Sequence, residues 1–118
     1  MNIEQLYTFC LEMKGVTESF PFDNDTLVFK VAGKMFCLTS LKNWEGGEPT
    51  LNLKCQPEKS AILRQDYEGI VPGFHMNKKH WNTVYTTKDV DEKLLKELIK
   101  HSYTEVIKSL PKKIRATL

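Results

Sequence analysis

The chain has 118 residues, 41% of them hydrophobic, with a formal net charge of +2. A chain of this size buries one core without disulfide or metal staples, so a single domain over residues 1–118 is expected. A mean hydropathy of −0.39 and charges spread along the whole length exclude a membrane helix, which needs about 20 consecutive apolar residues. A sequence pI near 8.4 permits nucleic-acid binding without arguing for it, since basic domains of that kind exceed about 9.

The opening run Met1-Asn2-Ile3-Glu4-Gln5 puts an acid where a secretory leader carries lysines, and no apolar stretch follows, so a cytoplasmic protein is expected. Cys10, Cys37 and Cys55 are an odd set at long spacings, which draws neither a disulfide framework nor a CxxC motif. Each lies among apolar neighbours and is expected to be a small reduced hydrophobe.

Ile3, Leu6, Tyr7, Cys10 and Met13 recur at helical steps and predict a first helix, capped by Asn2 with Gln5 three residues on and followed by Gly15. Over residues 26–39 the pattern alternates: Leu27, Phe29 and Val31, an interruption at Gly33-Lys34, then Phe36 and Leu38. That is a β-hairpin turning on Gly33. Residues 41–49, with Trp44 and Gly46-Gly47, read as a mobile connecting loop, a wing or lid. Leu51, Leu53 and Cys55 alternate with Asn52 and Lys54 as a third strand, and Pro57 opens a short helix through Gln65. Residues 70–74 and 81–86 predict two further strands, joined by the connection after Pro72-Gly73. Leu94, Leu95, Leu98, Ile99, Tyr103, Val106, Ile107 and Leu110 trace one stripe of a long last helix, with Asp89 and Glu92 as its capping box. Pro111 closes it and leaves the basic tail Lys112-Lys113-Ile114-Arg115. The order α-β(3)-α-β(2)-α, with hairpin-linked strands and one-sided helices, predicts a two-layer α+β fold: an antiparallel sheet covered on one face by helices.

The runs Gly15-Val16-Thr17-Glu18-Ser19-Phe20-Pro21-Phe22, Val28-Phe29-Lys30-Val31 and Gly33-Lys34-Met35-Phe36 resemble the first half of the MmcQ/YjbR family. Leu53-Lys54-Cys55 with Pro57-Glu58, then Pro72-Gly73-Phe74-His75-Met76-Asn77-Lys78-Lys79-His80-Trp81-Asn82-Thr83-Val84, Ser102-Tyr103 and Leu110-Pro111-Lys112-Lys113 resemble the rest. The chain departs from the family pattern at Asn24, Phe74 and Tyr85-Thr86-Thr87. The resemblance implies a fold similar to secretion-chaperone and YjbR-like domains, and a DNA-binding role of the double-wing type.

His75, Asn77, Lys78, Lys79, His80, Trp81 and Asn82 bring cations, amides and an aromatic ring together, the residue types that contact phosphate, sugar and base faces. They are the candidate nucleic-acid contacts, joined by Lys112, Lys113 and Arg115 in one expected continuous positive surface. The same residues have a structural reading, in which Met76 and Trp81 pack inward, Asn77 satisfies a turn, and the lysines are merely solvated. The tail cations equally suit a helix C-terminus. No catalytic site, metal site or cofactor is expected: no nucleophile–base pair, carboxylate pair or metal cage is visible, and His75 and His80 lie five residues apart outside any zinc motif. Two functions follow as expectations: DNA binding with low sequence specificity, or a protein-interaction module using a sheet edge or the Trp44 loop.

Overall fold

A computed structural model describes residues Met1–Leu118, and its first helix begins at the expected cap. In α1 (Ile3–Leu11) the Asn2 side chain accepts from the Gln5 N–H, and the Gln5 side chain accepts from the Asn2 N–H, each at 2.8 Å. Two otherwise orphaned donors are satisfied reciprocally. The chain turns through Gly15 at φ +77° into β1 (Val16–Ser19), a strand the sequence did not announce. Its residues Val-Thr-Glu-Ser carry a single apolar side chain, too few for an alternation signal.

β2 (Thr26–Val31) and β3 (Lys34–Ser40) form the expected hairpin. Both central turn residues have positive φ, Ala32 at 50° and Gly33 at 77°, the geometry that matches the right-handed strand twist. The turn is therefore centred on Ala32-Gly33, one residue earlier than expected. Residues 41–49 open with a short helix, α2 (Leu41–Glu45), instead of a loop throughout. Trp44 packs against the core and its Nε1 donates to Thr39 Oγ1 at 2.8 Å, so it is a plug and not a lid tip.

β4 (Thr50–Lys54), α3 (Pro57–Asp66), β5 (Ile70–Pro72), β6 (Trp81–Tyr85) and α4 (Glu92–Lys108) follow near their expected places. The cap of α4 differs. Asp91 accepts from Leu94 N at 2.8 Å, while Asp89 accepts from Glu68 N and Gly69 N, both at 2.8 Å, and ties the turn before β5 to the turn after β6. The tail is itself one helical turn, α5 (Lys112–Arg115).

The strands form one antiparallel six-stranded sheet in the order β1-β2-β3-β4-β6-β5. Opposed residues share a face. Leu27, Phe29, Val31, Cys37, Leu51, Leu53, Ile70 and Val84 meet Leu6, Cys10, Leu95, Leu98, Ile99 and Val106 in one core beneath the helices. All three cysteines are free and buried, as expected. The signature pair Ser102-Tyr103 is structural: the fully buried Ser102 donates to Phe36 O and accepts from Lys54 N at 2.8 Å, while Tyr103 Oη donates to Lys14 O. The other sheet face carries no helix. No helix is long and apolar enough to cross a membrane.

Candidate functional site

The connection between β5 and β6, residues 73–80, is held by hydrogen bonds from Gly73 to His80. It leaves β5 at Gly73, where a Cβ would stand 3.0 Å from the Trp81 side chain and 3.1 Å from Trp81 O. Glycine is needed here for close approach, since Gly73 N donates to Trp81 O at 2.9 Å. His75 sits at φ 58°, a left-handed conformation that non-glycine residues seldom adopt.

Asn77 closes the turn: its side chain accepts from Lys79 N at 2.9 Å, and its carbonyl accepts from His80 N and Trp81 N at 3.2 and 3.0 Å. Lys78 Nζ donates to Gly73 O at 2.9 Å yet remains exposed, as does Lys79. His80 is half-buried, and its carbonyl accepts from Cys55 N at 2.8 Å. Trp81 is half-buried opposite Lys54. Asn82 is buried, donating to Ser60 Oγ at 3.1 Å. Of the seven loop candidates, then, His75, Lys78 and Lys79 face solvent, and the two asparagines hold the scaffold.

The residue that organises this loop was missed from sequence. Arg64, on α3, donates from Nε to Asn82 Oδ1 at 2.7 Å and from Nη2 to Trp81 O at 3.2 Å and to Lys78 O. Its guanidinium fork grips the start of β6 and the loop together. Nothing about an arginine in a short polar helix marks this role. The available signal was Asn82, a polar residue at an inward strand position that requires a buried partner.

Lys112, Lys113 and Arg115 do not join the loop. Leu118, one turn beyond, packs so close to Gly15 that a Cβ there would meet its Cδ2 at 2.6 Å, with Val31 alongside. The tail thus sits by β1 and β2, on the helical side, while the loop sits by β6 and β5. The two segments are thus set apart both along the sheet, by at least three strand spacings, and by the side of it on which they pack. The expected single positive surface is replaced by two separate ones.

What the loop borders is the sheet face that carries no helix, although Val28, Leu38 and Thr83 at its centre are buried. By register that face presents Thr17 and Ser19 of β1, Thr26, Val28 and Lys30 of β2, and Met35, Leu38 and Ser40 of β3. It continues with Thr50, Asn52 and Lys54 of β4, Trp81, Thr83 and Tyr85 of β6, and Val71 of β5. None of these is Asp or Glu. The acids near it, Asp23 and Asp25, lie in the turn before β2. Backbone N–H donation from Thr26 and then Asp25 holds Asp23 below the usual carboxylate range, and the Ser40 hydroxyl followed by the Lys42 N–H does the same for Asp25. Against this face, Phe74 and His75 overhang a cleft of about 310 Å³ floored by Ser40, Thr50, Asn52 and Thr83.

No three or more His, Cys, Asp or Glu side chains converge as a metal cage. The Cys10 thiol beside it, and then burial, hold the Cys37 thiol well above its usual range, which denies it thiolate character. His101 adjoins Ser102 in sequence, but its Nε2 accepts from Gln56 N at 3.2 Å, so the two form no nucleophile–base pair.

A YjbR family model matches residues 11–105. The chain is 43% identical over 103 residues to the uncharacterised protein YbdF of Escherichia coli O157:H7, covering 87% of this chain and 82% of YbdF. It is 30% identical to the uncharacterised protein YjbR of Escherichia coli K12 over 118 residues, 100% of this chain and 98% of that one. The crystal structure of Deinococcus radiodurans protein DR2400, a DUF419 domain, superposes with a TM-score of 0.89 at 38% identity, over 98% of this chain and 86% of the other. A crystal structure of a Pseudomonas syringae protein gives 0.73 at 25% identity, over 89% and 98%. With the helix-backed sheet, the Pro72-to-Val84 motif and the Ser102-Tyr103 lock all accounted for, the chain belongs to the YjbR family.

Proposed function

We propose that the chain binds nucleic acid with low sequence specificity, through the helix-free sheet face and the β5–β6 connection beside it. The observation that carries this reading is the absence of carboxylates from every strand position of that face, where Lys30 and Lys54 project and Lys78 and Lys79 stand exposed at the border. A polyanion meets cations on the strands there, and the nearest fixed negative charges, Asp23 and Asp25, stand at the turn before β2, where Asp25 accepts from Ser40. The tail cations lie on the helical side of the sheet, where Leu118 packs against Gly15, and are left out of the footprint. Neither catalysis nor a cofactor is required, and the role is one exercised in the cytoplasm.

The test is a fluorescence-anisotropy titration across salt concentrations. Log affinity should fall linearly with log salt at about 0.9 per neutralised phosphate, and Lys78→Ala with Lys79→Ala should flatten the slope by about two such contacts. Absence of binding at low salt would refute the reading.

A second reading, a protein-interaction module, rests on one specific feature. Ile3, Tyr7, Phe20, Leu27, Leu41 and Trp44 line an apolar groove where α1, α2 and β1 meet, and Phe20 stays 43% exposed. Strand addition is disfavoured, because the edges are short and β5 ends in Pro72. A partner captured at high salt and lost on Phe20→Ala, with nucleic-acid titrations blank, would favour this alternative. Trp44→Ala is the poorer probe, since it also removes a core contact.

A further inference from the structure

We infer that the cleft under Phe74 and His75 is a pocket for one unpaired base of a single-stranded nucleic acid, a specificity for strand state that deepens, and rests on, the nucleic-acid reading. The cleft encloses about 310 Å³, the lower end of ligand-pocket sizes, and beneath its two rings it is lined by hydroxyls, carboxamides and the aliphatic Leu38, with neither ammonium nor carboxylate. A phosphate would find no cation in it. A flat, neutral group edged with donors and acceptors would find partners, and a nucleobase is such a group.

One hydroxyl fixes the geometry. Thr83 Oγ1 donates to Asn52 Oδ1 at 2.5 Å and accepts from Phe74 N at 3.0 Å. The first bond orients the Asn52 amide and leaves its Nδ2 hydrogens without a protein acceptor, ready for a base edge. The second pins the backbone that carries Phe74, whose ring is 49% exposed at the rim although a phenylalanine gains nothing from water. An amide for an edge and a ring for a face are thereby held at a set separation, the combination by which single-stranded bases are recognised.

His75 adds a second overhanging ring, set over the cleft by its left-handed backbone at φ 58°. The sugar–phosphate chain is provided for outside the cleft by Lys30 and Lys54, which project from the same face. Bases in a duplex are stacked and paired, so they reach neither Phe74 nor Asn52. An unpaired base can swing out and enter.

The experiment compares a labelled oligothymidylate of about 12 nucleotides with a duplex of the same length, using the wild type, Phe74→Ala and the Lys78→Ala/Lys79→Ala variant. Phe74 is exposed, so its truncation leaves the fold intact. The single strand should bind about tenfold more tightly than the duplex, and Phe74→Ala should abolish that preference while leaving duplex affinity unchanged. Thymidine 5′-monophosphate should shift the amide resonances of Thr50, Asn52 and Thr83. Duplex binding that depends on the two lysines, with no single-strand preference and no Phe74 effect, overturns this inference and leaves the broader reading standing. No binding of either probe overturns both.

Discussion

Replacing Arg64 by alanine tests whether the β5–β6 loop is built from outside itself. The guanidinium supplies three hydrogen bonds, to Asn82 Oδ1, Lys78 O and Trp81 O. Their losses are unequal. Asn82 is only 2% exposed, and its Oδ1 would be stranded, a deficit of about 1–3 kcal/mol. Lys78 is exposed, so water replaces the bond to its carbonyl, and the two carbonyls together add about 0.5–1 kcal/mol. The expected total is about 1.5–4 kcal/mol, a fall in Tm of about 6–16 °C for a domain of this size. A thermal melt by circular dichroism measures it, and hydrogen exchange at residues 77–81 should accelerate in parallel. A double-mutant cycle with Asn82→Ala should return a coupling of about 1–2 kcal/mol, because once the acceptor is gone the arginine has less to satisfy. A Tm change within about 2 °C, with exchange unchanged, would show that the loop is self-supporting and would refute the argument.

Ser102→Ala should cost about 2–3 kcal/mol in a urea titration, because it leaves Phe36 O and Lys54 N unpaired beneath α4. The acid limb of stability should owe much to three aspartates. Asp89 is held below the ordinary 3.8, chiefly by the Gly69 N–H and then the Glu68 N–H, and Asp23 and Asp25 are depressed likewise. A carboxyl with a lowered folded-state pKa contributes stability above its unfolded value and loses it as pH falls through the folded one. Tm should therefore drop steeply below about pH 4, and Asp89→Asn should lower Tm at neutral pH while flattening that drop, as melts across a pH series would show.

By itself, the sequence determined those elements whose side chains repeat: α1 with its Asn2–Gln5 box, the β2–β3 hairpin, β4, α3, β5, β6 and the stripe of α4. It also determined the buried cysteines, since hydrophobic period and turn residues are written locally, and it drew attention to the stretch from His75 to Asn82 by its rare residue types. Tertiary structure alone decided the rest. β1 exists because β2 offers it an edge to pair with, and α2 because Trp44 finds Thr39; neither has a periodic signal of its own. The insertion of β6 between β4 and β5 sets Thr83 beside Asn52, brings Asn82 to Arg64, and places the loop lysines at the far end of the sheet from β1, beside which the tail packs. Such pairings join residues far apart along the chain. They are chosen by which apolar faces bury best together, a property of the assembled sheet that no local pattern encodes.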